Sequence, residues 1–160
     1  PLFYNHKNTG RPLADGEWFT KFRSNYMDVT NDALYPFGYG LSYTKFDISD
    51  VTLDKTSMNA NGEITASVVV ENVGNIKGKE VVQLYIRDIV GSVTRPIKEL
   101  KGFEKIELNP GEKKVVNFKI TAETLKFYNY DLDYVCEPGD FNLMIGSNSQ
   151  DVKSAKFTLN

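Results

Sequence analysis

"GEITASVVVENVG", Gly62–Gly74, decides how the rest of the chain is read. Every second residue from Ile64 to Val70 is apolar (Ile64, Ala66, Val68, Val70), and a glycine stands at each end. A period of two puts alternate side chains on opposite faces of an extended strand, so this stretch has one face for a core and one for solvent. The same rhythm recurs downstream. "EVVQLYIRD" aligns Val82, Leu84 and Ile86; "KKVVNFKIT" aligns Val116, Phe118 and Ile120; "DFNLMIGS" aligns Phe141, Leu143 and Ile145; "SAKFTLN" aligns Ala155, Phe157 and Leu159. "TKFDISDVTLD" opens the series, and "LKGFEKIEL" adds a strand with an expected irregularity at Gly102. Between the strands stand "NANG", "NPGE" and "EPGD". In the last two, Pro fixes φ and Gly accepts a positive φ, which suits a type II turn. Short half-apolar strands with regular turn signals predict an all-β fold. The expected architecture is an immunoglobulin or fibronectin III-like antiparallel β-sandwich of about seven strands over residues 46–160.

Residues 1–45 follow neither rhythm. They are rich in Asn, Gly and Pro, and the stretch through Phe46 holds 11 of the chain's 20 aromatic residues. Disordered segments are poor in aromatics, so this irregular N-terminal segment is expected to pack on something: partly on the sandwich, partly on polypeptide outside this chain. "YPFGYGLSYTKF", Tyr35–Phe46, is its densest part. Gly38 and Gly40 could turn the backbone sharply between packed rings. Tyr35, Phe37, Gly38, Tyr39, Gly40 and Tyr43 are therefore the candidate domain-interface residues; if Gly40 has a positive φ, a β-branched residue there is costly. "GYGLSY" lacks the third glycine of a phosphate loop and leads into a strand, not into the helix N-terminus that would hold the phosphate.

Other chemistry is thinly represented. A net charge of −2 gives no reason to expect nucleic acid as a partner. The longest apolar run, "SVVV", is far short of the roughly 18 residues of a membrane span. One cysteine, Cys136, and one histidine, His6, supply neither a disulfide framework nor a Cys- or His-rich metal site. Cys136 reads as a small buried hydrophobe. His6, Lys7 and Arg11 form a small basic cluster in "YNHKNTGRP", read as turn or interface residues. Tyr128, Tyr130 and Tyr134 alternate around Leu132; they are expected as core or corner tyrosines on one strand face, with a sugar-stacking platform as the competing reading. Asp131 and Asp133 beside them read as solvated turn acids. No catalytic, cofactor or metal residue is assigned.

"PLFYNHKNTGRP", "YPFGYGLSYTKF", "ELKGFEKIELNPGEKKVVNFKI" and "EPGDFNLMIGSNSQD" together resemble the C-terminal end of glycoside hydrolase family 3, the β-glucosidase and β-xylosidase group, over essentially the whole chain. The resemblance implies a parent enzyme with an N-terminal (β/α)8 barrel carrying a nucleophilic Asp, then an α/β sandwich domain carrying an acid/base Glu, then a fibronectin III-like domain. Residues 1–45 would be the tail of the second domain plus a linker, with "PLFYN" ending one of its strands. Residues 46–160 would be the third domain. A barrel alone needs roughly 200–250 residues, so neither catalytic carboxylate is expected in this chain. The implied role is to buttress the catalytic domains of a retaining β-glucosidase; the alternative is a carbohydrate-binding or adhesion module that takes oligo- or polysaccharide. The resemblance also implies a periplasmic or secreted enzyme.

Overall fold

The computed structural model describes residues 3–14 and 16–160. Pro1 and Leu2, which open "PLFYN", and Asp15 lie outside the described residues. The regular elements are β1 (Phe46–Ile48), β2 (Thr52–Leu53), β3 (Ser57–Met58), β4 (Glu63–Asn72), β5 (Gly78–Asp88), β6 (Glu99–Leu108), β7 (Lys113–Thr121), the single-turn α1 (Ala122–Leu125), β8 (Phe127–Tyr128), β9 (Tyr134–Val135), β10 (Gly139–Gly146) and β11 (Val152–Leu159).

Two sheets face each other. One holds β1, β4 and β2, with β7 paired to β4. The other has the order β3-β11-β10-β5-β6. The predicted stripes meet between them. Ile64, Ala66, Val68 and Val70 of β4 and Val116, Phe118 and Ile120 of β7 pack against Val82, Leu84 and Ile86 of β5, with Phe141, Leu143, Ile145, Phe157 and Leu159. The rings of the register partners Phe141 and Phe157 stack with centroids 5.2 Å apart. The all-β sandwich expected from the periodicity is the fold observed.

Three local differences have identifiable causes. "TKFDISDVTLD" is not one strand: β1 and β2 both lie on the same edge of β4, where the Ser49 N–H donates to Val69 O at 2.9 Å before the chain breaks at Asp50 and Val51. The two-residue β3 pairs with β11 in parallel, so the pairing is not wholly antiparallel. The "EPGD" stretch makes no positive-φ turn. Gly139 begins β10, whereas Gly111 of "NPGE" does have φ +74°. The irregularity expected at Gly102 is real: the β5–β6 register slips there, with Leu84 opposite Gly102 and Tyr85 opposite Leu100, leaving Lys101 bulged.

The outward face of the five-stranded sheet is itself covered. Gln83 and Tyr85 alternate with the core residues of β5 and would face water in a two-layer sandwich, yet both are buried, and so is Met144 on β10. The covering is the N-terminal segment. It meets the sheet at one pole, where Lys7 bridges to Pro96 and the Ile97 N–H donates to His6 O at 3.0 Å. It leaves at the opposite pole, where β1 begins with Phe46 beside Asn72. The first pole also holds the ends of β5 and β11, the 89–98 loop and the β8–β9 hairpin. The second holds the turns at 73–77, 109–112 and 147–151.

Candidate interface site

The site is built upward from β5. The Tyr85 hydroxyl donates to Gln83 Oε1. The Gln83 Nε2 donates to Ser147 O at 2.6 Å and to Gly38 O at 3.3 Å. The Ser149 N–H donates to Phe37 O at 2.9 Å. Two backbone carbonyls of the "PFG" turn are thus held, one by Gln83 of β5 and one by the turn between β10 and β11, and the Tyr39 N–H closes the "PFG" turn on Pro36 O at 2.9 Å. Above the polar layer the Tyr4 and Phe37 rings stack at 4.2 Å, and Tyr4 meets Tyr85 edge-on at 5.7 Å. Burial, and secondarily Tyr4, pushes the Tyr85 phenol up to about 12.

Glycine supplies what this turn needs, and of the two glycines it is Gly38, not Gly40, that has the positive φ. Gly38 has φ +80°, and a β-carbon there would land on the Gln83 carboxamide; around Gly40 nothing lies within 4 Å. Sequence could not separate the two, because the demand comes from a side chain 45 positions away.

A second clasp fixes the end of the linker. Asn72 is fully buried, and its Nδ2 donates to Ile76 O (2.8 Å) and Leu108 O (3.0 Å). Its Oδ1 accepts from the Thr44 hydroxyl at 2.7 Å and the Gly74 N–H at 3.1 Å. A buried amide with all these bonds made orders the chain where it becomes β1.

The remaining interface candidates point outward. Tyr35 and Tyr39 lean together at 5.6 Å, and Tyr43 is 97% exposed. Trp18, Phe19, Phe22 and Leu41 are exposed as well. The segment therefore presents apolar groups on its far side while its near side is fixed. Between it and the sheet lies an open cavity of about 880 Å³, lined by residues including Thr9, Trp18, Arg87, Lys98 and Met144. Burial, then Arg87, holds the Lys98 amine below its usual range, and that amine donates to Ser149 O.

His6, Lys7 and Arg11 do not make a charge site; His6 Nδ1 contacts Lys7 O, and the Ser24 N–H donates to Arg11 O. Among the described residues no three His, Cys, Asp or Glu side chains stand together as metal ligands. Cys136 is a free, half-buried thiol against the core.

The tyrosine expectation at 128–134 needs correction. These residues form a hairpin, not one strand face. Phe127 pairs with Val135 and Tyr128 with Tyr134, around a turn in which Asn129 Oδ1 accepts the N–H groups of Asp131 (3.0 Å) and Asp133 (2.9 Å). The tyrosines lie outside the core, Tyr130 being 85% exposed. An Asn followed by acids two and four residues on is a turn signal that alternation alone concealed. The hairpin base is the buried member. Phe127 carries the Arg95 guanidinium 4.0 Å from its ring centroid, and Arg95 is paired with Asp88 (3.5 Å) and Glu99 (2.6 Å).

A two-sheet sandwich whose outer face is wrapped by its own N-terminal segment defines a class: residues 80–149 match the fibronectin type III-like domain family. A periplasmic β-glucosidase of Salmonella typhimurium is 52% identical over 159 residues, 99% of this chain and 21% of that protein. A putative β-xylosidase of Formosa agariphila is 51% identical over 138 residues, 86% of this chain and 18% of its own length. The crystal structure of a β-glucosidase from Listeria innocua superposes with a TM-score of 0.92 at 39% identity, covering 99% of this chain and 22% of the other. The chain belongs to the glycoside hydrolase family 3 group as its C-terminal region, fibronectin type III-like domain included. It spans about a fifth of the length of these relatives.

Proposed function

We propose that this chain is the non-catalytic C-terminal part of a retaining β-glucosidase acting on terminal β-linked sugars, and that it buttresses the catalytic domains preceding it. One observation carries the reading: residues 3–45 are bonded to the sheet on one side and expose aromatic side chains on the other. Apolar surface of that kind marks a protein contact. In this reading residues 1–45 are the tail of the preceding domain plus the linker, and residues 46–160 are the buttress. Tyr35, Phe37, Tyr39 and Tyr43 are the joint, and Gly38 is its pivot. Attack at the anomeric carbon and protonation of the leaving oxygen belong to two carboxylates about 5–5.5 Å apart in the preceding domains. The name of the Salmonella relative supports a periplasmic or secreted location for the parent. The test compares the parent enzyme with this chain on an aryl β-glucoside. The parent turns over and residues 1–160 do not. Turnover by purified 1–160, lost on changing one Asp or Glu within it, overturns the reading. Binding of an oligosaccharide by 1–160 alone would favour a carbohydrate-binding module instead.

A further inference from the structure

The floor of the cavity under the N-terminal segment carries two positive charges with no counter-charge beside them. Arg87 and Asn142 are register partners on β5 and β10, and both alternate with core residues, so they face the segment as Tyr85 and Met144 do. Glu99 is the register partner of Ile86, which sets Lys98, one residue before β6, beside Arg87. Like charges directly opposite on a strand pair repel. Both residues are half-buried, where screening by salt is weak. The neighbouring Arg95 shows the contrast: it is paired with Asp88 at 3.5 Å and Glu99 at 2.6 Å. Among the described residues, the ion pairs involve other cations than Arg87 and Lys98. Glu17 and Asp32 line the same cavity but pair with neither cation, and Glu17 is engaged by the Thr20 hydroxyl at 2.8 Å. No carboxylate raises the Lys98 amine; burial and Arg87 both lower it.

We propose that Arg87 and Lys98 bind a small oxyanion, through a carboxylate or phosphate group, and that this anion ties the N-terminal segment to the sheet. The site stands apart from the buttress reading, since residues of this chain alone form it. Arg87 brings a planar fork of N–H donors that matches two oxygens of one anion. Lys98 gives one N–H to Ser149 O at 2.5 Å, which leaves two for a ligand. The opposite wall belongs to the segment, with the hydroxyls of Thr9, Ser24 and Thr30 among its groups. Thr9 Oγ1 accepts from the Arg11 N–H at 3.1 Å, so its own proton is free to donate to an outer oxygen of the anion. An occupant would thus touch floor and segment together and remove the repulsion between the two cations. The volume of about 880 Å³ lies within the roughly 300–1,000 Å³ of small-molecule sites, so there is room for an anion that carries a body.

The experiment titrates the full-length protein with inorganic phosphate and, separately, with acetate, each against sodium chloride at matched ionic strength. Amide exchange is followed by mass spectrometry across residues 6–32 and across 64–70. An anion released when the segment opens raises protection by one plus the ratio of its concentration to Kd. Protection of 6–32 should therefore rise about tenfold at about ten times Kd, with 64–70 unchanged. A saturable response to either anion supports the site, and the tighter of the two identifies the group it takes. Arg87→Met and Lys98→Met should each abolish the response, and Lys98→Arg should retain it. Lys105→Met, exposed on β6 outside this cavity, should leave it as it is. No saturable rise with either anion overturns the proposal. So does an equal rise in chloride, or a rise that persists when both Arg87 and Lys98 are changed to Met. The unaltered protein decides the first two outcomes by itself, should a variant fail to fold.

Discussion

Gly38 carries two independent demands: a positive φ and the absence of a β-carbon next to the Gln83 carboxamide. Gly38→Val is expected to cost on the order of 1–3 kcal/mol from backbone strain alone, and more once Gln83 is displaced. Gly40→Ala, which meets nothing, is expected to be close to neutral. Melting curves of the two variants check the pair, and equal losses would refute the assignment of the pivot. Tyr85 gives a pH test. Its folded-state value of about 12 lies above the ordinary phenol value of 10.0, so the folded state holds the proton more tightly. The corresponding stability is fully present below pH 10 and is lost as pH rises from 10 to 12. Phenolate absorbance should show one tyrosine ionising after the exposed ones, and Tyr85→Phe should remove that late step. Two glycines flanking Tyr39, and Gln83 and Tyr85 on the strand face opposite Leu84, were visible in the sequence. Their roles were not, because each depends on a partner brought in from elsewhere in the chain.

Among the elements, the hairpin base depends on Arg95. Asp88 is buried, and burial raises its carboxyl pKa more than Arg95 lowers it. Arg95→Met would leave Asp88 without its cation, leave Glu99 only its longer contact with Lys101 (3.7 Å), and uncover Phe127. Removing one member of a buried pair costs about 3–5 kcal/mol, which sets the expected loss near pH 8. The sign with pH follows from the raised carboxyl. Protonation relieves the uncompensated charge, so the difference from the unaltered protein should shrink as pH falls towards 4. Denaturant midpoints at the two pH values check this, and a loss that grows at low pH contradicts it. The strands themselves were legible because a buried face imposes a period of two. The β8–β9 hairpin was not: two-residue strands are too short for a period to show, and "YNYDLDY" alternates whether it runs straight or folds on Asn129.

For the whole molecule, the segment over the outer sheet face is fixed by its side chains and carbonyls more than by paired strands. Among the described residues between 3 and 45, few N–H groups donate to backbone oxygens. Amide exchange should therefore be fast across residues 3–45 and slow at 64–70 and 82–86, where strands pair on the core. Equal protection would mean that the segment is a complete unit by itself. The sequence showed that this segment was aromatic and had to pack. It could not show that the cover lies on β5 and β10, because the choice between two sheet faces has no local signature.

The entry of the chain beside Pro96 bears also on how it could be reconnected. Asn160 leaves at the same pole, where its N–H donates to Met58 O. The β6 edge and β11 are three strand spacings apart in the sheet order, about 15 Å. A flexible Gly/Ser tether of roughly eight residues spans that distance. Joining Asn160 to residue 3 through such a tether, and opening the chain at the exposed Asn109–Glu112 turn, would give a circular permutant with every strand pair intact. Its new ends would emerge at the far pole, turning the direction in which any attached domain extends without altering the sandwich.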